Sequence, residues 1–250
     1  MSELQQKVAL VTGGSSGIGR AIALRLARDG AHVYVHYSKS QDNAERVQKE
    51  VEEAGGSAGV VQADVTEEAQ VVDMMQQIKK VHGGLDILVN NAGIDIEAEI
   101  EHCEYDLWRR ILDTNLTGKF LCIKHATPLL KKTTGGVIVN IASRMGTRPC
   151  QDIIPYCVSQ AGIIMLTKGS ALELAKYNIR VNAVSPGLTR TPMTEALCEE
   201  SVFTGYQERN PLKRLGMPED IAGAVAFLSS DAAAFITGEN IDVSGGILLK

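Results

Sequence analysis

Residues Val8–Gly19 read V-A-L-V-T-G-G-S-S-G-I-G. A short β-branched run leads into a glycine-rich turn, and an amphipathic pattern over Gly19–Asp29 follows at once. This is a strand, a tight turn and a helix in immediate succession. Glycines there let backbone amides approach a phosphate, and the helix N-terminus behind them adds a partial positive charge. The spacing of Gly13, Gly17 and Gly19 is G-x-x-x-G-x-G, not the G-x-G-x-x-G dinucleotide fingerprint. A small-residue packing turn would look similar. The position at the first strand–helix junction favours phosphate binding.

The alternation continues outward. Val8–Thr12, Val33–Tyr37, Gly59–Ala63, Ile87–Asn90, Val137–Ala142, Arg180–Val184 and Asn240–Val243 read as strands. Gly19–Asp29, Asn43–Ala54, Glu67–His82, Tyr105–Lys131, Tyr156–Lys176 and Pro218–Leu228 read as helices. Such alternation implies right-handed crossovers and a parallel sheet covered on both faces. The expected fold class is α/β: one doubly wound, Rossmann-type domain over residues 1–250, with about seven parallel strands and helices on both faces. Pro186–Lys213 is long and weakly patterned, which suggests a mobile insertion beside a site.

Bulk composition narrows the function classes. A chain of 250 residues with 44% hydrophobic and 22% charged content can bury one sizeable core. The net charge of −5 and the lack of a basic block argue against nucleic acid as a partner. No apolar run approaches the roughly 20 residues of a membrane span, and the first residues lack a charged-then-apolar leader. Five cysteines without a Cys-x-x-Cys pair fit free thiols in a reducing compartment. The expectation is a cytoplasmic protein. His32, His36, His82, His102 and His125 show no metal-ligand spacing, so no metal is assigned.

Taken in order, Thr12-Gly13-x-x-x-Gly17-x-Gly19, Asn90-Asn91-Ala92-Gly93, Asn115 in a D-x-N-x-x-G context, Ser143 thirteen residues before Tyr156, and Pro186-Gly187 form a specific set. On these residues the chain resembles the short-chain dehydrogenase/reductase family, in its 3-oxoacyl-reductase-like or glucose-dehydrogenase-like branch. The likeness runs from Lys7 to about Gly246. It implies an NAD(P)-dependent oxidoreductase that interconverts a carbonyl and an alcohol. By that resemblance Gly13, Ser15, Ser16, Gly17, Ile18 and Gly19 hold the cofactor phosphates. Asp64 and Val65 meet the adenine, although Asp64 could equally cap the helix ahead of Glu67-Glu68. Asn91, Ala92 and Gly93 line the cofactor, and Pro186, Gly187, Thr189 and Thr191 reach its nicotinamide end.

The end of the second strand selects between dinucleotides. A carboxylate there binds both ribose hydroxyls and repels a 2′-phosphate. Here the residues are Tyr37, Ser38, Lys39 and Ser40, with no acid. Serine hydroxyls and a lysine can hold a phosphate. NADP is therefore expected in preference to NAD, against the bland reading of Lys39 as a solvated loop lysine.

In the family a tyrosine passes the proton, a serine polarises the carbonyl, and an asparagine holds a water and fixes the helix. A lysine four residues after the tyrosine grips the nicotinamide ribose and lowers the tyrosine pKa. The first three carry over to Tyr156, Ser143 and Asn115. The fourth does not, because position 160 is Gln. Gln160 can hydrogen-bond the ribose but carries no charge. With tyrosine's ordinary pKa near ~10, about one molecule in a thousand is phenolate at pH 7, and loss of a preorganised charge typically costs ~10²–10³ in rate. Lys168 lies eight residues on, about 12 Å along the helix. Arg144 is the other cation in view. Three readings stay open: a slow or specialised reductase, a dinucleotide-binding subunit or sensor without turnover, and a chain disabled by a natural or engineered change at position 160. The otherwise intact machinery weighs toward the family's activity.

The expected partner is a small-molecule carbonyl or alcohol substrate. Arg144, Arg148 and Arg190 fall on loops at the carboxyl ends of strands, where they could receive an anionic group or simply be solvated. Residues 190–215 correspond to the family's mobile substrate lid. The helical stretches Tyr105–Lys131 and Tyr156–Lys176 are apolar on more than one face, as a subunit interface would require. The resemblance implies a homotetramer built on them.

Overall fold

The seven apolar runs form strands Val8–Val11 (β1), His32–Tyr37 (β2), Ser57–Gln62 (β3), Ile87–Asn90 (β4), Val137–Ile141 (β5), Arg180–Pro186 (β6) and Asn240–Val243 (β7). The computed structural model describes residues 4–249, so residues 1–3 and 250 of the expected domain lie outside the described residues. The sheet order is β3-β2-β1-β4-β5-β6-β7, with every neighbouring pair parallel.

Period-two alternation sends the central strands into two cores. Ala9 and Val11 join the cluster beneath Gly17–Arg28 (α1), Gln41–Glu53 (α2) and Pro218–Ser229 (α9). Leu10 points the other way, into the cluster beneath Glu68–His82 (α3), Gly118–Leu130 (α5) and Ile154–Leu174 (α6). Both faces are covered there, so β1, β4 and β5 read as nearly unbroken apolar runs. Leu10 is fully buried, and burying such a side chain contributes about 1.5–3 kcal/mol.

From β1 the chain builds outward through β2 and β3, then returns to β4 on β1's other side. The order therefore reverses between β1 and β4, and a crevice opens at their carboxyl ends. The glycine turn after β1 and the Asn90–Gly93 loop after β4 meet there.

Two expectations change. The stretch Tyr105–Lys131 is not one helix: Tyr105–Leu112 (α4) and α5 are separated by a π-helical turn over Asp113–Thr117. The wider turn carries the buried Asn115, whose carboxamide is bonded to a neighbouring loop. The weakly patterned segment also holds two short helices, Pro192–Leu197 (α7) and Glu200–Arg209 (α8). α7 starts with a reciprocal Thr191–Thr194 capping box. α8 buries only Phe203 and Tyr206, too few to give a strong periodic signal.

Candidate active site

Thr12 staples the two loops of the crevice. Its hydroxyl accepts from Asn91 N at 2.9 Å and Ala92 N at 3.0 Å. Asn91 Nδ2 donates back to the carbonyls of Thr12 and Gly13 at 3.0 and 3.1 Å. Gly13 N donates to His36 Nδ1 at 3.0 Å, which leaves the proton on Nε2, 3.0 Å from Ala63 O. Burial lowers the His36 pKa to about 4, so the ring stays neutral. His36 thus braces the turn from β2, a task that strand periodicity alone did not reveal.

The turn is shaped for a close ligand. Gly13 has a φ of +62°, and a Cβ on Gly19 would lie 2.1 Å from Gly13 O. Only glycine lets helix α1 sit this near the turn. Ser16 caps α1 without a side-chain hydrogen bond, and the first turn contains no acid. Its N–H groups are left for an anion.

Two clefts flank the turn and share Gly13, Ser15, Ala92, Gly93 and Ile94. Tyr37, Ser38, Lys39, Asp64 and Val65 line the outer one, where Arg109 and Arg110 of α4 add unexpected cations. Asp64 caps no helix: it accepts from Thr66 N and Oγ1 at 3.0 and 2.7 Å, and the N-cap of α3 is Glu67. The inner cleft, about 260 Å³, is lined by Ser16, Gly17, Ile18, Gly19 and Asn91 at one end. Ser143, Tyr156, Gln160, Pro186, Gly187, Thr189 and Thr191 complete its wall. Every residue expected at the cofactor therefore lies on one of the two clefts.

Asn115 stands behind the inner cleft. Its Oδ1 accepts from Ile94 N at 2.8 Å, and its Nδ2 donates to Ile94 O at 2.9 Å and Ser159 Oγ at 3.1 Å. It ties the β4 loop to α6. Ser143 Oγ accepts from Met145 N at 3.2 Å, and Ser143 and Tyr156 line the same cleft. Burial pushes the Tyr156 pKa up, the Asp95 charge adds to this, and the Ser143 hydrogen bond and Arg144 charge oppose it. Asp95 itself is raised from 3.8 to about 6 by burial and by Glu97, and its Oδ1 is buried without a partner. Asp95 follows the Asn-Asn-Ala-Gly motif closely, but its chemistry is visible only once the loop folds toward Tyr156.

Gln160 is 4% exposed. Its Nε2 reaches Ser159 Oγ at 3.4 Å, whereas Oε1 is buried with no partner. An orphaned acceptor in this wall suits a ribose hydroxyl, and with the glycine cradle it makes the cleft fit a dinucleotide. One residue of the wall was not anticipated. Lys119 of α5 is buried, and its Nζ donates to Asn90 O at 2.9 Å and Ala92 O at 3.0 Å. Its sequence signature is its place four residues after Asn115, one helical turn along.

The loop arginines diverge. Arg190 pairs with Glu195 and Glu200 and lies over the Phe203 ring. Its charge is engaged, which removes part of the case for an anionic substrate. Arg144 lies over the Tyr206 ring, within electrostatic reach of Tyr156.

A family model described as enoyl-(acyl carrier protein) reductase matches residues 13–248. The 3-oxoacyl-[acyl-carrier-protein] reductase FabG of Staphylococcus epidermidis is 42% identical over 97% of this chain and 99% of its own length. The 3beta-hydroxysteroid dehydrogenase 1 of Eggerthella lenta is 37% identical over 99% and 95% of the two chains. A crystal structure of a short-chain type dehydrogenase/reductase from Mycobacterium marinum matches with a TM-score of 0.94 at 37% identity, covering 99% and 98%.

Proposed function

The chain belongs to the short-chain dehydrogenase/reductase family, and on that premise we propose that it reduces a small carbonyl substrate with NADPH, with Tyr156 as the proton donor. The family chemistry is NAD(P)-dependent interconversion of carbonyl and alcohol, and a bound nicotinamide dinucleotide supplies the hydride. One observation carries the finer reading. A single cleft holds the Gly13–Gly19 turn at one end and both Ser143 and Tyr156 at the other.

In this reading the turn amides and the N-terminus of α1 hold the diphosphate. Gln160 Oε1 accepts from a ribose hydroxyl. Thr189 and Thr191 border the nicotinamide end. Ser143 and Tyr156 present two O–H donors to the substrate carbonyl oxygen, and Asn115 keeps the β4 loop and α6 in register behind them. The raised Tyr156 pKa keeps the phenol protonated, which is the form reduction needs at its start. Oxidation needs the phenolate and suffers more from the missing lysine. The non-catalytic alternative is not favoured, since these relatives are named as oxidoreductases.

The NADP preference is supported by Lys39 and Arg110 on the outer cleft and by the lack of an acid at residues 37–40. A homo-oligomer, a tetramer by family analogy, is supported by α6, where Val158, Met165 and Leu172 recur every seven residues and are 43%, 66% and 83% exposed. Residues 190–215, including α7 and α8, would form the substrate lid. Among the described residues no helix is long and apolar enough to cross a membrane, and five free thiols fit a cytoplasmic setting.

The test is a fluorescence titration of NADPH and NADH at one ionic strength, followed by carbonyl turnover. Tighter NADPH binding, and turnover abolished in Tyr156→Phe, are expected. Tighter NADH binding would overturn the cofactor assignment, and an active Tyr156→Phe enzyme would overturn the role of Tyr156.

A further inference from the structure

The family's lysine does two jobs, and Gln160 can share only the uncharged part of one. Resting on the dinucleotide reading above, we propose that Lys119 holds the bound dinucleotide from helix α5, doing the cofactor-gripping work of the lysine that position 160 lacks.

Lys119 is the only buried lysine among the described residues. A buried ammonium is expensive unless paired with a charge, and this one has only two backbone carbonyls. Those carbonyls belong to Asn90 and Ala92, the loop that Thr12 staples to the glycine turn. An ammonium has three N–H donors, and the carbonyls account for two. The third has no protein acceptor among its hydrogen bonds. Lys119 shares its cleft wall with the orphaned Gln160 Oε1, so a donor and an acceptor lie unfilled on the same wall. A ligand rich in hydroxyls and negative charge satisfies both.

A loop tie alone would not call for a lysine, because a neutral donor could reach the same carbonyls without the cost of a buried charge. Burial has pushed the Lys119 pKa down to about 7. The diphosphate of a dinucleotide would favour the ammonium and raise that value. No titratable side chain comes from β4 or β5. The π-turn brings Asp113, which Arg109 pairs, and α3 brings Glu68, which Lys124 and His125 hold. Its own helix brings Cys122, whose thiol burial raises to about 12, the β4 loop brings Asp95, which shares no hydrogen bond with Lys119, and the cleft wall brings Tyr156. None of these is an anion paired to Lys119. The ligand is then its counter-charge. The tyrosine is a separate matter: Arg144 is the cation whose field reaches it.

The experiment compares wild type, Lys119→Gln, Gln160→Lys and the double exchange Lys119→Gln/Gln160→Lys, by direct NADPH binding without substrate between pH 7.5 and 9. Wild-type affinity should fall with pH by up to about tenfold per unit, because a group whose pKa is raised in the complex loses its contribution as pH climbs toward that value. Lys119→Gln should bind at least tenfold more weakly at pH 7.5 and with a flat profile. The double exchange should recover most of that loss from the other helix. A Lys119→Gln protein with wild-type affinity and slope, lower only in thermal stability, would make Lys119 a structural strut and overturn the proposal. If Lys119→Gln does not fold, selective 13C-lysine labelling of the wild type decides: a Lys119 pKa unmoved by NADP refutes the inference, and a raised one supports it. A wild type that binds no dinucleotide sinks the underlying reading and this inference with it. Normal wild-type binding with an unaffected Lys119→Gln sinks only this one.

Discussion

Replacing Asp95 by Asn tests the electrostatics of the site through both stability and rate. The folded carboxyl has a pKa raised from 3.8 to about 6. The folded state therefore binds more protons than the unfolded state between these values, and stability falls as pH rises through about 4 to 6. Below pH 4 both states are protonated and no penalty remains. Above pH 6 both are ionised and the penalty is complete. Two pKa units correspond to about 3 kcal/mol, and partial exposure of the side chain reduces this to ~1–2 kcal/mol through solvent screening. Asp95→Asn should thus be ~1–2 kcal/mol more stable than wild type at pH 8, with the gain vanishing near pH 4. Urea denaturation at pH 4, 6 and 8 measures it. The same change removes a negative charge that raises the Tyr156 pKa. The basic limb of alcohol oxidation should move to lower pH. A stability difference independent of pH, or an oxidation profile that stays in place, would refute the assignment of Asp95 as a buried charge acting on Tyr156.

Three other changes probe separate parts of the molecule. Gly19→Ala forces a Cβ to within 2.1 Å of Gly13 O; overpacking of about 1–3 kcal/mol should weaken dinucleotide binding ~5–150-fold by calorimetry, and an unchanged affinity would deny the turn its cradle role. Lys39→Ala should weaken NADPH binding about tenfold while leaving NADH unchanged, as expected for one charge-assisted phosphate contact; equal losses for both would remove Lys39 from the 2′-phosphate. Leu172→Arg places a charge on the 83% exposed end of the α6 stripe and should lower the particle mass in sedimentation velocity, whereas an unchanged mass would move the interface elsewhere.

The parts legible in the sequence are those whose signal is local. Ile87–Asn90 reads as a strand because both of its faces are buried, and it forms the same four residues in the sheet. The glycine turn reads correctly because Gly13 and Gly19 answer a steric demand within seven residues. The break at Asp113–Thr117 was hidden, since the sequence from Tyr105 to Lys131 is apolar enough for one helix and the interruption depends on Asn115 meeting Ile94 from another element. Helices α7 and α8 were hidden because they bury too little to impose a period.

Gln160 and Lys119 show the same limit at the site. The departure at position 160 is visible because Tyr156 and residue 160 lie one turn apart on one helix, so the missing charge can be counted from spacing alone. The lysine at position 119 reads like any solvated lysine on a helix. Its burial is decided by the sheet under α5, and its partners are carbonyls that no side-chain motif records. A loss on one helix and a lysine on another line one cleft, where Lys119 is held by the carbonyls of Asn90 and Ala92. Intact motif residues around one altered position therefore do not by themselves indicate a disabled enzyme. The physical question is whether any cation reaches the same cleft, and here the fold delivers one.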